Sequence, residues 1–126
     1  MRITFEVPGK PKGKQRPRIG KWGAYTPKQT VEYEKYIREC FNEMNDGKWF
    51  KCDCAIMVEI KAYFKEPKKN AGEYAMTRTD CDNIAKIILD ALNDVAYNDD
   101  KQVVGLVVEK FWGTPDKVVI TLQQLD

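Results

Sequence analysis

The stretch from Cys81 to Val95 constrains this chain most. Ile84, Ile87, Ile88, Ala91, Leu92 and Val95 recur at helical spacing and fill one face. At 100° per residue, Asp82, Lys86 and Asp90 fall within about a quarter of the circumference, on the opposite face. Such a helix must lay its apolar stripe on another element and leave its charged face outside.

Period-two patterning supplies that element. Ile56, Val58, Ile60, Ala62 and Phe64 alternate with Met57, Glu59, Lys61 and Tyr63, which predicts a strand from about Cys54 to Phe64. Ile3 to Gly9 reads as a shorter strand stopped by Pro-Gly. Val103 to Trp112 and Lys117 to Leu122 read as two more, joined as a hairpin at Gly-Thr-Pro-Asp. A first helix is predicted after Thr26, with Thr26 as N-cap, Pro27 at the first helical position and Gln29 completing a capping box. Tyr33, Tyr36, Ile37, Cys40, Phe41 and Met44 form its stripe, and Asn45-Asp46-Gly47 ends it. The order β-α-β-α-β-β predicts an α/β (α+β) fold, a mixed sheet with two main helices packed on it. At 126 residues, one domain spanning 1–126 is expected.

Composition excludes several chemistries. The chain has no histidine, so no His general base and no Ser–His or Cys–His pair is available. The four cysteines, Cys40, Cys52, Cys54 and Cys81, lack paired C-x-x-C spacing, which argues against structural zinc and for reduced thiols. No apolar run is long enough to span a bilayer, so a cytoplasmic protein without a membrane partner is expected. Net charge is only +2, yet Lys10 to Lys28 holds seven bases and no acid, while Thr79 to Asp100 holds six aspartates and one lysine. A basic loop at 10–25, with Trp22 and Tyr25 in or beside it, suits phosphate contact and base stacking; otherwise it is a mobile, solvated loop.

The acids at Thr79–Lys86 ("TDCDNIAK") and in "YNDDKQVV" carry two readings. In one, Asp80 caps the helix and Lys86 pairs with Asp82 or Asp90 across i,i+4 spacing. In the other, Asp80 and Asp82 point together at a hard cation such as Mg²⁺, which takes oxygen ligands and few protein contacts. An EF-hand loop is excluded, because its sixth position would be Ala85 and not glycine.

The run "TDCDNIAKIILDALNDVAYNDDKQVV" resembles the signature of RusA-like Holliday junction resolvases: Asp-x-Asp-Asn, a lysine on the same helix, Asp-Ala-Leu, then Asp-Asp-x-x-Val. "PGKPKGKQRPR" and "YTPKQT" look like cellular and phage-borne members too. Thr79 stands where many relatives carry proline and Cys81 where leucine is common; neither departure removes a ligand. The resemblance implies an endonuclease dependent on Mg²⁺, with Mn²⁺ a chemically allowed substitute, and no small-molecule cofactor. It implies a homodimer acting on four-way branched DNA and leaving 3′-hydroxyl and 5′-phosphate ends. By motif position it makes Asp80, Asp82 and Asp100 metal-binding carboxylates, with Asp99 at a recurrent acidic position, and Lys86 the catalytic lysine. Asp90 matches a further acidic position without a defined role.

For DNA contact the candidates are Lys14, Arg16 and Arg18, followed by Lys68, Lys69 and Arg78. A helix of about 15 residues rises roughly 20 Å, and five extended residues reach at most roughly 18 Å. Asp100 therefore meets Asp80 and Asp82 in one chain only if the connection runs straight back; a two-fold dimer with antiparallel helices offers a shared site. The alternatives are a non-catalytic branched-DNA-binding module, a nuclease preferring flaps or other branches, and a cation-binding protein unrelated to DNA.

Overall fold

Strand alternation writes one face of the sheet into the core, and both helices lie on that face. The computed structural model describes residues 1–45, 49–50, 52–67 and 71–125. Along the chain it gives β1 (Arg2–Pro8), β2 (Arg18–Gly20), β3 (Gly23–Tyr25), α1 (Lys28–Asn45), β4 (Ala55–Phe64), α2 (Cys81–Leu92), β5 (Val103–Trp112) and β6 (Lys117–Leu125). The expected mixed α+β architecture is present, with one additional small element, the β2–β3 ladder.

The sheet order is β1-β6-β4-β5. β4 runs parallel to β5, while β6 is antiparallel to both β1 and β4. The predicted hairpin between the last two strands is thus corrected: β4 lies between them. Two strand spacings come to about 10 Å. The four residues between Trp112 and Lys117 reach roughly 13 Å, so they can step over the end of β4. Local alternation identifies both strands but carries no information on who pairs with whom.

The central strand is the most buried. Ile56, Val58, Ile60 and Ala62 have no exposed surface, and Val118, Ile120 and Leu122 of β6 flank them. The stripe of α2 closes over them with Ile84, Ile87, Ala91 and Leu92 wholly buried and Ile88 nearly so. Helix α1 covers β1 through Tyr33, Ile37, Cys40 and Phe41, and Phe41 meets Phe5 edge-on at 5.3 Å. Tyr36 and Met44, expected on that stripe, are exposed; Tyr36 instead donates its hydroxyl to the Pro8 carbonyl at 2.9 Å.

Helix ends differ slightly from expectation. The Pro27 carbonyl accepts from the Thr30 and Val31 N–H groups, so Pro27 takes the capping place assigned to Thr26. Helix α2 stops at Leu92 rather than Val95, where Asn93 turns extended and Asp94 takes a positive φ of 62°. Asn45 closes α1 by donating its amide to the Phe41 carbonyl; Asp46 and Gly47 lie outside the described residues. All four cysteines are free thiols. Among the described residues no helix is long and apolar enough to cross a membrane.

Truncating the centre of this core leaves a cavity that the sheet cannot close. Ile60→Ala should lose about 2–5 kcal/mol of unfolding free energy in urea denaturation. A loss below about 1 kcal/mol would show that β4 is not the packed centre.

Candidate metal and DNA site

The start of α2 presents its carboxylates unspent. Asp80 occupies the N-cap with extended backbone, and its carbonyl accepts from the Ile84 N–H at 3.1 Å, but its side chain makes no capping hydrogen bond. Asp82 and Lys86 are exposed on the outer face. Neither takes part in an ion pair among the described residues, although i,i+4 spacing would allow one. The segment leading into Asp80 is held from beneath: the Lys110 ammonium, rising from β5, donates to the carbonyls of Thr79 at 2.9 Å and Thr77 at 3.2 Å.

Another acidic group sits past the far end of α2. The Asp99 side chain accepts from the Lys101 N–H and caps the 3-10 turn Asp100–Gln102. That backbone bond, together with a hydrogen bond from the Asp100 side chain, holds the Asp99 carboxyl below its ordinary range. Asp100 moves the other way, raised first by that hydrogen bond, then by burial and by the charges of Asp99 and Asp90. The opposite shifts are the mark of two carboxyl groups sharing one hydrogen bond.

Two residues fix this turn. Gln102, 5% exposed, accepts at Oε1 from the Asn98 and Asp99 N–H groups and donates at Nε2 to the Cys52 and Cys54 carbonyls. The buried Tyr97 donates its hydroxyl to the Leu89 carbonyl at 2.7 Å, tying the connection to α2.

Within one chain the two groups stay apart. Asp80 and Asp90 are separated by ten helical rises, about 15 Å. No set of three or more Asp, Glu or Cys side chains gathers closely enough to hold a metal ion among the described residues. The connection after α2 does not run straight back. The donors themselves suit a hard divalent cation: all are carboxylate oxygens, and Asp80 and Asp82 are uncommitted.

The basic arm is pinned rather than mobile. The Lys14 N–H donates to the Asn83 carbonyl at 2.9 Å, and the Gln15 N–H to the buried Thr30 hydroxyl at 3.4 Å. Gly13 allows this approach, since a β-carbon there would lie 3.0 Å from Asn83 Cβ and 3.1 Å from Thr79 Cγ2. The Lys14 ammonium bridges Glu34 of α1 at 3.0 Å and Asp90 of α2 at 3.1 Å, so this candidate DNA contact is engaged inside the chain. Arg16, Arg18 and Arg78 are exposed. Beyond them the β2–β3 tip holds Trp22 outward, 93% exposed, with the Lys21 ammonium 5.5 Å from its ring. Between arm and helix lies a cleft of about 420 Å³ lined by Lys10, Lys12, Arg78, Asp80 and Asn83. Lys68 and Lys69 lie outside the described residues.

Lys110, Gln102 and Tyr97 were not singled out in the sequence. None of the three carries a signal in the sequence: Lys110 stands opposite the wholly buried Ala62 only once β5 is paired with β4.

The family model described as Endodeoxyribonuclease RusA matches residues 8–123. The chain is also similar to "Uncharacterized protein YqaN" of Bacillus subtilis (strain 168), at 27% identity over 139 residues, covering 98% of this chain and 96% of that one.

The Lys14 bridge makes a prediction about pH. Burial opposes its charge, but hydrogen bonds and attraction from Glu34 and Asp90 outweigh it, and its pKa rises above the usual lysine value. A raised folded pKa means the bridge acts in full below the unfolded lysine value and is lost as pH climbs through the folded one. Wild type should exceed Lys14→Met by about 1 kcal/mol at neutral pH. That gap should close in strongly alkaline solution; a gap independent of pH would contradict the bridge.

Proposed function

The chain belongs to the RusA family of endodeoxyribonucleases, and from that membership we propose that it is a Mg²⁺-dependent enzyme resolving four-way DNA junctions by paired cuts. The observation that carries the reading is the carboxylate pair at the start of α2, uncommitted among the described residues: Asp80 lines a cleft with Lys10, Lys12 and Arg78, and Asp82 is exposed two residues further on. Capping does not account for Asp80, and ion pairing does not account for Asp82 or Lys86.

The roles follow from position and charge. Asp80 and Asp82 would hold the cation, which when bound polarises a phosphoryl oxygen and acidifies bound water. Lys10, Lys12 and Arg78 bring a DNA phosphate to that point by charge neutralisation. Lys86, one helical turn beyond Asp82 and free of internal partners, places a compact positive charge on the same face, where it can stabilise the charge that develops on the phosphate. Arg16, Arg18 and the exposed Trp22 at the arm's tip extend the contact along the DNA arms. The absence of histidine leaves proton movement to carboxylates, lysine and water.

A homodimer supplies what one chain lacks. Asp99 and Asp100 lie at the opposite end of α2, and two such helices laid antiparallel about a two-fold axis would bring the Asp99–Asp100 turn of one copy toward Asp80 and Asp82 of the other. The same axis matches the symmetry of a four-way junction and yields two cuts.

A synthetic mobile four-way junction should be cut in Mg²⁺ but not in EDTA, and Asp82→Asn should lower the rate at least about a hundredfold. Linear duplex of equal length should stay intact, and a flap substrate beside it checks the branch preference. Asp80→Asn and Asp100→Asn proteins, each inactive, should regain partial activity when mixed. No recovery despite confirmed subunit exchange would refute the shared site; no Mg²⁺-dependent cutting by wild type would refute the nuclease reading.

A further inference from the structure

A second cleft, of about 480 Å³, lies on the other side of the segment that leads into Asp80. It shares Lys10, Arg78 and Thr79 with the arm cleft, so the two flank the Arg78–Thr79 approach to the carboxylates, with Lys10 of the arm between them. Its character differs. Trp112 and Phe64, register partners at the ends of β5 and β4, give it an aromatic wall. Lys10, Lys65 and Arg78 give it a basic rim, with Asp116 as an acid in the lining. The volume falls in the range of about 300–1,000 Å³ usual for small-molecule sites.

Its place in the fold also suits ligand binding. Strands β4 and β5 are parallel, with α2 in the crossover between them, and the cleft opens at their carboxyl ends beside the helix start. Open α/β sheets commonly bind ligands in that crevice.

We propose that this cleft is a nucleobase pocket: it takes one unpaired base of the DNA, stacked on Trp112, and the Asp116 carboxylate reads that base's edge. The phosphates on either side fall to Lys10, Lys65 and Arg78. Aromatic stacking accepts every base, so discrimination comes from Asp116, an acceptor that favours bases carrying an exocyclic amine over thymine. The inference rests on the nuclease reading only in taking DNA as the source of the base. It assigns the pocket a role in choosing which nucleotide lies beside the carboxylates, since a base must leave its stack to enter.

The test uses the full chain and a single-stranded pentanucleotide carrying 2-aminopurine at its centre, titrated without divalent metal. Wild type should quench the probe saturably, and unlabelled pentamers differing in the central base should compete unequally. Trp112→Leu should weaken binding at least about fivefold. Asp116→Asn is the variant that decides if Trp112→Leu does not fold. It keeps the side chain's shape while replacing an acceptor oxygen by an amide donor, so it should fold as wild type does while changing the order in which the four competitors bind.

Absence of saturable quenching by wild type overturns the proposal. So does a folded Asp116→Asn protein with unchanged base preference, or a folded Trp112→Leu protein with unchanged affinity. Cutting of branched DNA is scored separately. A cutting enzyme whose pentamer binding ignores both substitutions refutes the pocket alone; the predicted binding in a protein that cuts nothing refutes the nuclease reading alone.

Discussion

Everything at the site depends on how α2 is seated. Its stripe of Ile84, Ile87, Ile88, Ala91 and Leu92 is buried in the common core, where α2 packs on α1 and on β5, almost without remainder. Rotating the helix by one residue would drag an isoleucine into water and a charged residue into the core, at a cost of several kcal/mol. The seating therefore fixes the outer face, and with it the directions of Asp82, Lys86 and Asp90. The apolar half of the helix sets the aim of the charged half.

The remaining alignment comes from a few buried polar contacts. Lys110 reaches under the chain to the Thr77 and Thr79 carbonyls, and Gln102 satisfies four backbone groups around the Asp99 turn. Lys14 ties the arm to both helices. Lys110 and Gln102 are spent on backbone groups and Lys14 on two carboxylates, so they hold the loops that carry the site without competing for a phosphate. The residues left outward and unpaired among the described residues, Asp80, Asp82, Lys86 and Arg78, are those the proposed chemistry requires.

Much of this was legible in the sequence because it rests on local periodicity. Alternation located β4, β5 and β6, and the 3.6-residue stripe located α2 and its polar face. Strand order was not legible: the short link between β5 and β6 looks like a hairpin, and β4 and β5 are similarly apolar in sequence, so nothing local shows that β4 lies between β5 and β6. The arm read as mobile because its attachment uses backbone groups, the Lys14 and Gln15 N–H, which leave no trace in residue type. Lys14 read as a DNA contact because its basic neighbours are in the sequence, whereas Glu34 and Asp90 join it only in space. The carboxylates were legible as a motif, yet their division between the two ends of α2 appears only once the connection through Tyr97 and Gln102 is seen.

The central claim is that Asp80 and Asp82 form one half of a cation site whose other half comes from the Asp99–Asp100 turn of a second copy. Crystals grown with Mn²⁺, with anomalous scattering recorded at the manganese edge, test it directly. The account predicts an anomalous peak within about 2.3 Å of carboxylate oxygens of Asp80 or Asp82, with the Asp99–Asp100 turn of a two-fold-related chain completing the shell. A peak bound elsewhere, or none at these aspartates at saturating Mn²⁺, would contradict it.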